Sequence, residues 1–160
     1  ESSGLHTNGY TLARKIVFET MGLRVGDEFP GDKRSVGDVL LDVHRSYLKV
    51  LAPLLSAKLL HGLAHITGGG IEGNLPRIFK EGIGARIHLG SWEVPNVFGV
   101  LQEGGRVARQ EMYRVFNMGV GMILVVSPEN ANIVLDELGK TSIGSWVIGE
   151  VETGEGVRLE

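Results

Sequence analysis

Three short stretches carry residue types suited to holding an anion. The first is Ser3-Gly4-Leu5-His6-Thr7-Asn8-Gly9, immediately ahead of a helical pattern. Hydroxyls, an amide, an imidazole and two glycines stand together there. Backbone N–H groups at a helix start attract anions, and glycine lets a phosphate approach closely. His6 could add charge or relay a proton. The same residues also suit a plain capping loop, with Thr7 or Asn8 as N-cap and His6 exposed. The second stretch is His65-Ile66-Thr67-Gly68-Gly69-Gly70, a strand end running into a helix start. Three successive glycines are costly unless the backbone needs positive φ or a close approach. An anion cradle and a plain tight turn both satisfy that need. The run lacks the Gly-Lys-Ser/Thr ending of a P-loop and the spacing of a dinucleotide fingerprint. Arg77, a little further on, could supply charge. The third stretch, Glu111 to Gly121, sets Arg114, Asn117 and Gly119 before an apolar run. It offers a guanidinium and backbone amides to a ligand, or simply a helix C-cap with Asn117 or Gly119 left-handed.

Other chemistries find little support. The chain has no cysteine, which removes disulfides, thiolate catalysis and most zinc sites. His44 and His61 lie beside leucine-rich helices and read as packing or surface residues, and His88 alternates outward on a strand. No His/Asp/Glu spacing suggests a metal site, so no metal ligand is assigned. A net charge of −3 does not favour nucleic acid as a partner. No apolar run approaches the roughly 20 residues that cross a membrane, and no signal peptide opens the chain. The expected location is cytoplasmic.

The elements that must position these stretches follow from periodicity. At 160 residues, with 42% hydrophobic and 22% charged, the chain fits one domain with a real core. Leu12, Ala13, Ile16, Val17 and Met21 share a helical face, which Gly22 ends. Arg24 to Gly37 reads as an exposed loop. Val36 to Val43 fits a strand or a helical turn equally. Tyr47 to Leu60 is helical, with a kink or restart expected at Pro53. Leu63 to Ile66 is a short strand and Ile71 to Phe79 a helix. Ala85 to Leu89 is a half-buried strand. Helices follow from Pro95 to Gly104-Gly105 and around Met112. Gly121 to Val126 reads as a central strand, and Ser127-Pro128 opens a helix that Gly139 closes. Trp146 to Val151 is a strand, with Val157 to Leu159 pairing back on it across Gly154-Glu155-Gly156. The fold class is α+β (α/β in the broad sense): a mainly antiparallel sheet with helices packed on it.

Taken in order, the motifs resemble the phosphoribosylformylglycinamidine cyclo-ligase (aminoimidazole ribonucleotide synthetase) family. The matching stretches are Ser2 to Tyr10, Ala64 to Gly70 with Asn74-Leu75-Pro76-Arg77, and Trp92-Glu93-Val94-Pro95 with Val97-Phe98 and Leu101-Gln102. Met112-Tyr113-Arg114 with Phe116 to Met122, and Trp146 to Glu150, complete the match. The resemblance implies that residues 1–160 are a single C-terminal domain of a two-domain enzyme. It implies ATP and Mg²⁺ as cofactors, bound mostly by an N-terminal domain that this chain lacks, and a homodimer of the whole enzyme. The implied reaction closes the imidazole ring of formylglycinamidine ribonucleotide in purine biosynthesis, and this domain alone would be inactive. Ser3, Gly4, Gly9, Thr67, Gly68, Gly69 and Gly70 would face the interdomain cleft and hold the phosphorylated substrate, with His6 and Asn8 nearest the chemistry. One segment departs from the family: Val43-His44-Arg45-Ser46-Tyr47 stands where a Pro-Thr-Arg-Ile-Tyr-like stretch is usual. Selenophosphate synthetases, thiamine-monophosphate kinases and a hydrogenase-maturation protein share the two-domain plan. An apolar patch is expected where the absent domain would sit.

Overall fold

A computed structural model describes residues 1–160. Helix α1 (Tyr10–Arg14) follows the first loop and widens into a π-helical stretch, Lys15–Thr20. Its buried face carries Ala13, Ile16 and Val17, as the spacing requires. The segment 24–37 is not wholly exposed: Phe29 is fully buried and anchors it. The undecided segment after it is helical, α2 (Val36–Leu40). Ser35 and Asp38 form a reciprocal capping box that fixes its start. Helix α3 (Leu48–Ser56) runs through Pro53 without a restart. Pro53 lies on the exposed side of that helix, and Leu51 and Leu54 hold the opposite face down.

Strand β1 (Gly62–His65) leads into helix α4 (Gly70–Asn74) and a 3₁₀ turn at Leu75–Ile78. Strand β2 (Ile83–Ile87), helix α5 (Asn96–Gly105) and helix α6 (Arg109–Val115) follow. The two glycines at the end of α5 stay helical, and Arg106 takes the left-handed capping conformation instead. Strand β3 (Met122–Val125), helix α7 (Pro128–Gly139), strand β4 (Gly149–Thr153) and strand β5 (Gly156–Leu159) complete the chain.

The strands form two sheets. β1 and β3 pair antiparallel, with Ala64 opposite Ile123 and His65 opposite Met122. β2 lies between β4, antiparallel, and β5, parallel. Two sequence expectations need correction. β3 has one partner, so it is not a central strand. β5 does not pair back on β4, because β2 occupies the space between them. The Glu155–Gly156 backbone packs on Gly84, and a side chain there would strike it.

The principal core joins Leu5, Ile66, Ile71, Phe98, Leu101, Met112 and Phe116. It therefore lies directly beneath all three polar stretches. A second, smaller core seats α3 and α7 on the β1–β3 sheet through Tyr47, Leu51, Leu54, Val134 and Leu138. Between the sheets an apolar cavity of about 480 Å³ includes Met122, Leu124, Ala131, Leu135 and Ile148 in its lining. The accessible surface is 9212 Å², against about 7,800 Å² for a compact monomer of this mass. Leu41, Val43 and Leu48 are among the most exposed apolar side chains, and Trp146, Val147 and Val151 form another exposed group. No helix is long and apolar enough to cross a membrane.

Candidate functional site

The three stretches meet. Ser2 N–H donates to Gly119 O at 2.7 Å, joining the first loop to the segment after α6. The Asn117 side chain, fully buried, strengthens that join. Its Nδ2 donates to Gly4 O at 2.7 Å, and its Oδ1 accepts from Ser2 Oγ at 2.9 Å and from Gly119 N at 2.8 Å. Helix α4 packs on α6, with Gly70 seated against the Tyr113 backbone. Asn8 Oδ1 closes the arrangement. It lies beside Gly68, about 3.5 Å from where a Cβ would be.

The first loop holds an unfavourable backbone. His6 and Thr7 both have positive φ, 50° and 62°. For a β-branched threonine this is a true outlier, and such strain persists only where surroundings enforce it. Asn8 Nδ2 donates to His6 O at 2.6 Å and Thr7 Oγ1 donates to the same oxygen at 2.6 Å. The loop is thus held by its own polar side chains, and neither Thr7 nor Asn8 caps α1, whose N-cap is Gly9.

The three glycines of the run are not equivalent. Gly69 and Gly70 take φ of 99° and 61°. Gly70 also has no room for a side chain. Gly68 has neither constraint and is exposed beside Asn8. Asn74, buried and not singled out from spacing, ties the turn together through Nδ2 to Gly70 O at 2.7 Å and to Gly68 O at 3.3 Å. Thr67 Oγ1 donates to Asn74 Oδ1 at 3.2 Å. An asparagine four residues beyond a glycine run is the signal that would have found it.

Several candidates stand elsewhere than expected. Asn117 and Gly119 are buried with their polar groups engaged inside the fold, so they build the wall and present nothing to a ligand. Arg114 is exposed and paired with Glu111 at 2.8 Å. Arg77 is exposed on the 3₁₀ turn. Gly4 and Gly9 shape the loop at φ of 140° and 69°. His6, expected nearest the chemistry, is 1% exposed. Its Nε2 accepts Ser3 N–H at 2.9 Å and lies 3.0 Å from Ser3 Oγ, and Ser3 Oγ donates to Val43 O at 2.7 Å.

Sequence spacing missed one cluster entirely. His44 stacks on His6, ring centroids 4.1 Å apart and 18° from parallel. His44 Nε2 and His65 Nε2 are 3.1 Å apart. Tyr47 packs edge-on to His6 and His65, and its hydroxyl donates to Glu1 O at 2.8 Å. Burial pushes the His6 pKa down to about 4, with His44, His65 and Arg45 adding to the effect. Burial and His44 lower His65 as well, and burial raises Tyr47 to about 12. His6 is therefore a neutral imidazole at pH 7.

With this geometry in place, similarity to known proteins acquires meaning. Residues 1–160 match the family described as AIR synthase related protein, C-terminal domain. The phosphoribosylformylglycinamidine cyclo-ligase of Trichlorobacter lovleyi is 45% identical over 152 residues, 95% of this chain and 44% of that protein. The chloroplastic/mitochondrial enzyme of that name from Vigna unguiculata is 47% identical over 156 residues, 98% of this chain and 40% of that protein. The chain thus spans less than half the length of these relatives. Among solved structures, the hydrogenase maturation protein HypE of E. coli superposes with a TM-score of 0.62 at 23% identity, over 99% of this chain and 44% of HypE. Thiamine-monophosphate kinase of Stenotrophomonas maltophilia gives 0.64 at 14%, over 99% and 48%. These two establish the fold, and with the match along the whole sequence the chain belongs to the AIR synthase related family, as its C-terminal domain.

Proposed function

We propose that the chain is the substrate-holding half of an ATP-dependent cyclo-ligase that converts formylglycinamidine ribonucleotide to aminoimidazole ribonucleotide, ADP and phosphate. The observation that carries this reading is the junction of the Ser3–Gly9 loop and the Thr67–Gly70 turn at Asn8 and Gly68. A strained loop and a glycine turn held edge to edge make a rigid polar wall. Phosphoryl transfer depends chiefly on positioning and charge stabilisation, so a wall without an obvious base suits it.

Within that wall the residues divide by exposure. Asn8, Thr67 and Gly68 are accessible and contact the ribose-phosphate or the transferred phosphate. His6 acts from beneath, and Ser3, half-buried, is fastened to it. As a neutral acceptor, His6 Nε2 fixes the Ser3 backbone in the metal-free chain and so sets the loop. Asn117, Gly119, Gly69 and Gly70 hold the wall in shape, and Arg77 supplies positive charge at its margin. ATP and Mg²⁺ bind mostly to an N-terminal domain, which also carries the dimer contact. The length of the relatives and the exposed Leu41, Val43 and Leu48 support such a partner domain.

Turnover tests this directly. A protein joining this segment to its N-terminal domain is expected to release aminoimidazole ribonucleotide from formylglycinamidine ribonucleotide and ATP. The 160-residue chain alone is expected to release none. Robust ring closure by the chain alone, or phosphorylation of thiamine monophosphate in place of ring closure, contradicts the reading.

A further inference from the structure

We propose that His6, His44 and His65 form a binding site for a zinc-class divalent transition-metal ion, a role that goes beyond the substrate wall. One ring nitrogen from each residue lies within 4.8 Å of the other two. Nitrogens bound at about 2.0–2.1 Å to a tetrahedral ion stand about 3.3 Å apart. His44 Nε2 and His65 Nε2 already stand at 3.1 Å. Two imidazole nitrogens at that separation share either a proton or a metal.

The third ligand explains an otherwise unpaired atom. His6 Nδ1 is buried and has no hydrogen-bond partner. A buried polar atom left alone is costly. With Nε2 accepting Ser3 N–H, the ring proton sits on Nδ1, where nothing receives it. Moving that proton to Nε2 lets Nε2–H donate to Ser3 Oγ, 3.0 Å away, in exchange for the bond that Nε2 accepts from Ser3 N–H in the metal-free chain. Nδ1 then has a free lone pair for an ion, and Ser3 Oγ holds the ring from behind, as metal-bound histidines require. His6 and His44 are stacked in this structure, so one must turn for both to face a single ion. His44 is the ring free to do so, being half-buried and on coil between α2 and α3.

The donor set selects the ion. Three neutral imidazoles suit Zn²⁺, Co²⁺, Ni²⁺ or Cu²⁺, whereas Mg²⁺ prefers oxygen. The site is therefore chemically distinct from one that serves a nucleotide's Mg²⁺.

Metal binding by the chelator-stripped chain tests the proposal without any turnover. Co²⁺ is followed by its visible absorption and Zn²⁺ by calorimetry. One equivalent is expected to bind. His44→Gln and His65→Gln are each expected to weaken binding by at least about 100-fold, with far-UV circular dichroism confirming an intact fold. His88→Gln, at an exposed position beside Glu160, is expected to change nothing. Absence of saturable binding overturns the proposal, as does unchanged affinity in His44→Gln and His65→Gln. Failure here leaves the cyclo-ligase reading standing, since that reading is scored on ring closure alone.

Discussion

Gly70→Ala is expected to destabilise the chain by about 4 kcal/mol, a large share of the stability of an ordinary domain. Two penalties coincide at this position. Its φ of 61° is left-handed, a conformation that costs a side-chain-bearing residue roughly 1–2 kcal/mol. The added Cβ would also overlap the Tyr113 carbonyl oxygen and stand 3.0 Å from its carbon and 3.3 Å from Phe116 O. Those atoms are backbone, so no rotamer change relieves the overlap. Relief requires α4 to move off α6. Gly68→Ala is the internal comparison. Its Cβ would meet only Asn8 Oδ1, at 3.5 Å, and its stability is expected to stay within about 1 kcal/mol. Urea midpoints of the two variants check the contrast. Equal midpoints would show that the glycine run is merely a flexible turn.

Asn117→Ala is expected to cost about 3–5 kcal/mol. The side chain is fully buried and makes three hydrogen bonds, to Gly4 O, Ser2 Oγ and Gly119 N. Truncation leaves the Gly119 N–H and one face of the Gly4 carbonyl unpaired, at about 1–3 kcal/mol each, and opens a small cavity. The loss should be directional. Asn117 fastens the first loop, so amide exchange at residues 5–9 is expected to accelerate more than exchange in α7, which belongs to the second core. Uniform acceleration across the chain would deny Asn117 its fastening role.

These two residues show what the sequence could and could not disclose. The glycine run signalled a demanding backbone, because glycine has few other uses at the end of a strand. It did not disclose that Gly70 answers to packing while Gly68 faces Asn8, since that division depends on α6, some 40 residues away. Asn117 read as a ligand residue or a cap. Both readings are local, and its true partners, Ser2 and Gly4, are remote in sequence. The same limit hid the histidines. His44 differs from the family pattern, yet only the fold lays it between His6 and His65. Helices α5 and α7 were legible because apolar periodicity and Pro at or beside the start act within a few residues. The order β4-β2-β5 was not, because a strand inserted between two sequence neighbours leaves no local trace.

The central claim is that the Ser3–Gly9 loop and the Thr67–Gly70 turn form one phosphate-holding wall. Backbone amide shifts of the ¹⁵N-labelled chain, titrated with ribose 5-phosphate, test it most directly. The account predicts saturable shifts at Asn8, Gly9, Thr67 and Gly68 that follow a single binding curve, with Arg114 and Gly119 unmoved. Shifts centred on Arg114, or two separate curves for the two loops, would contradict it.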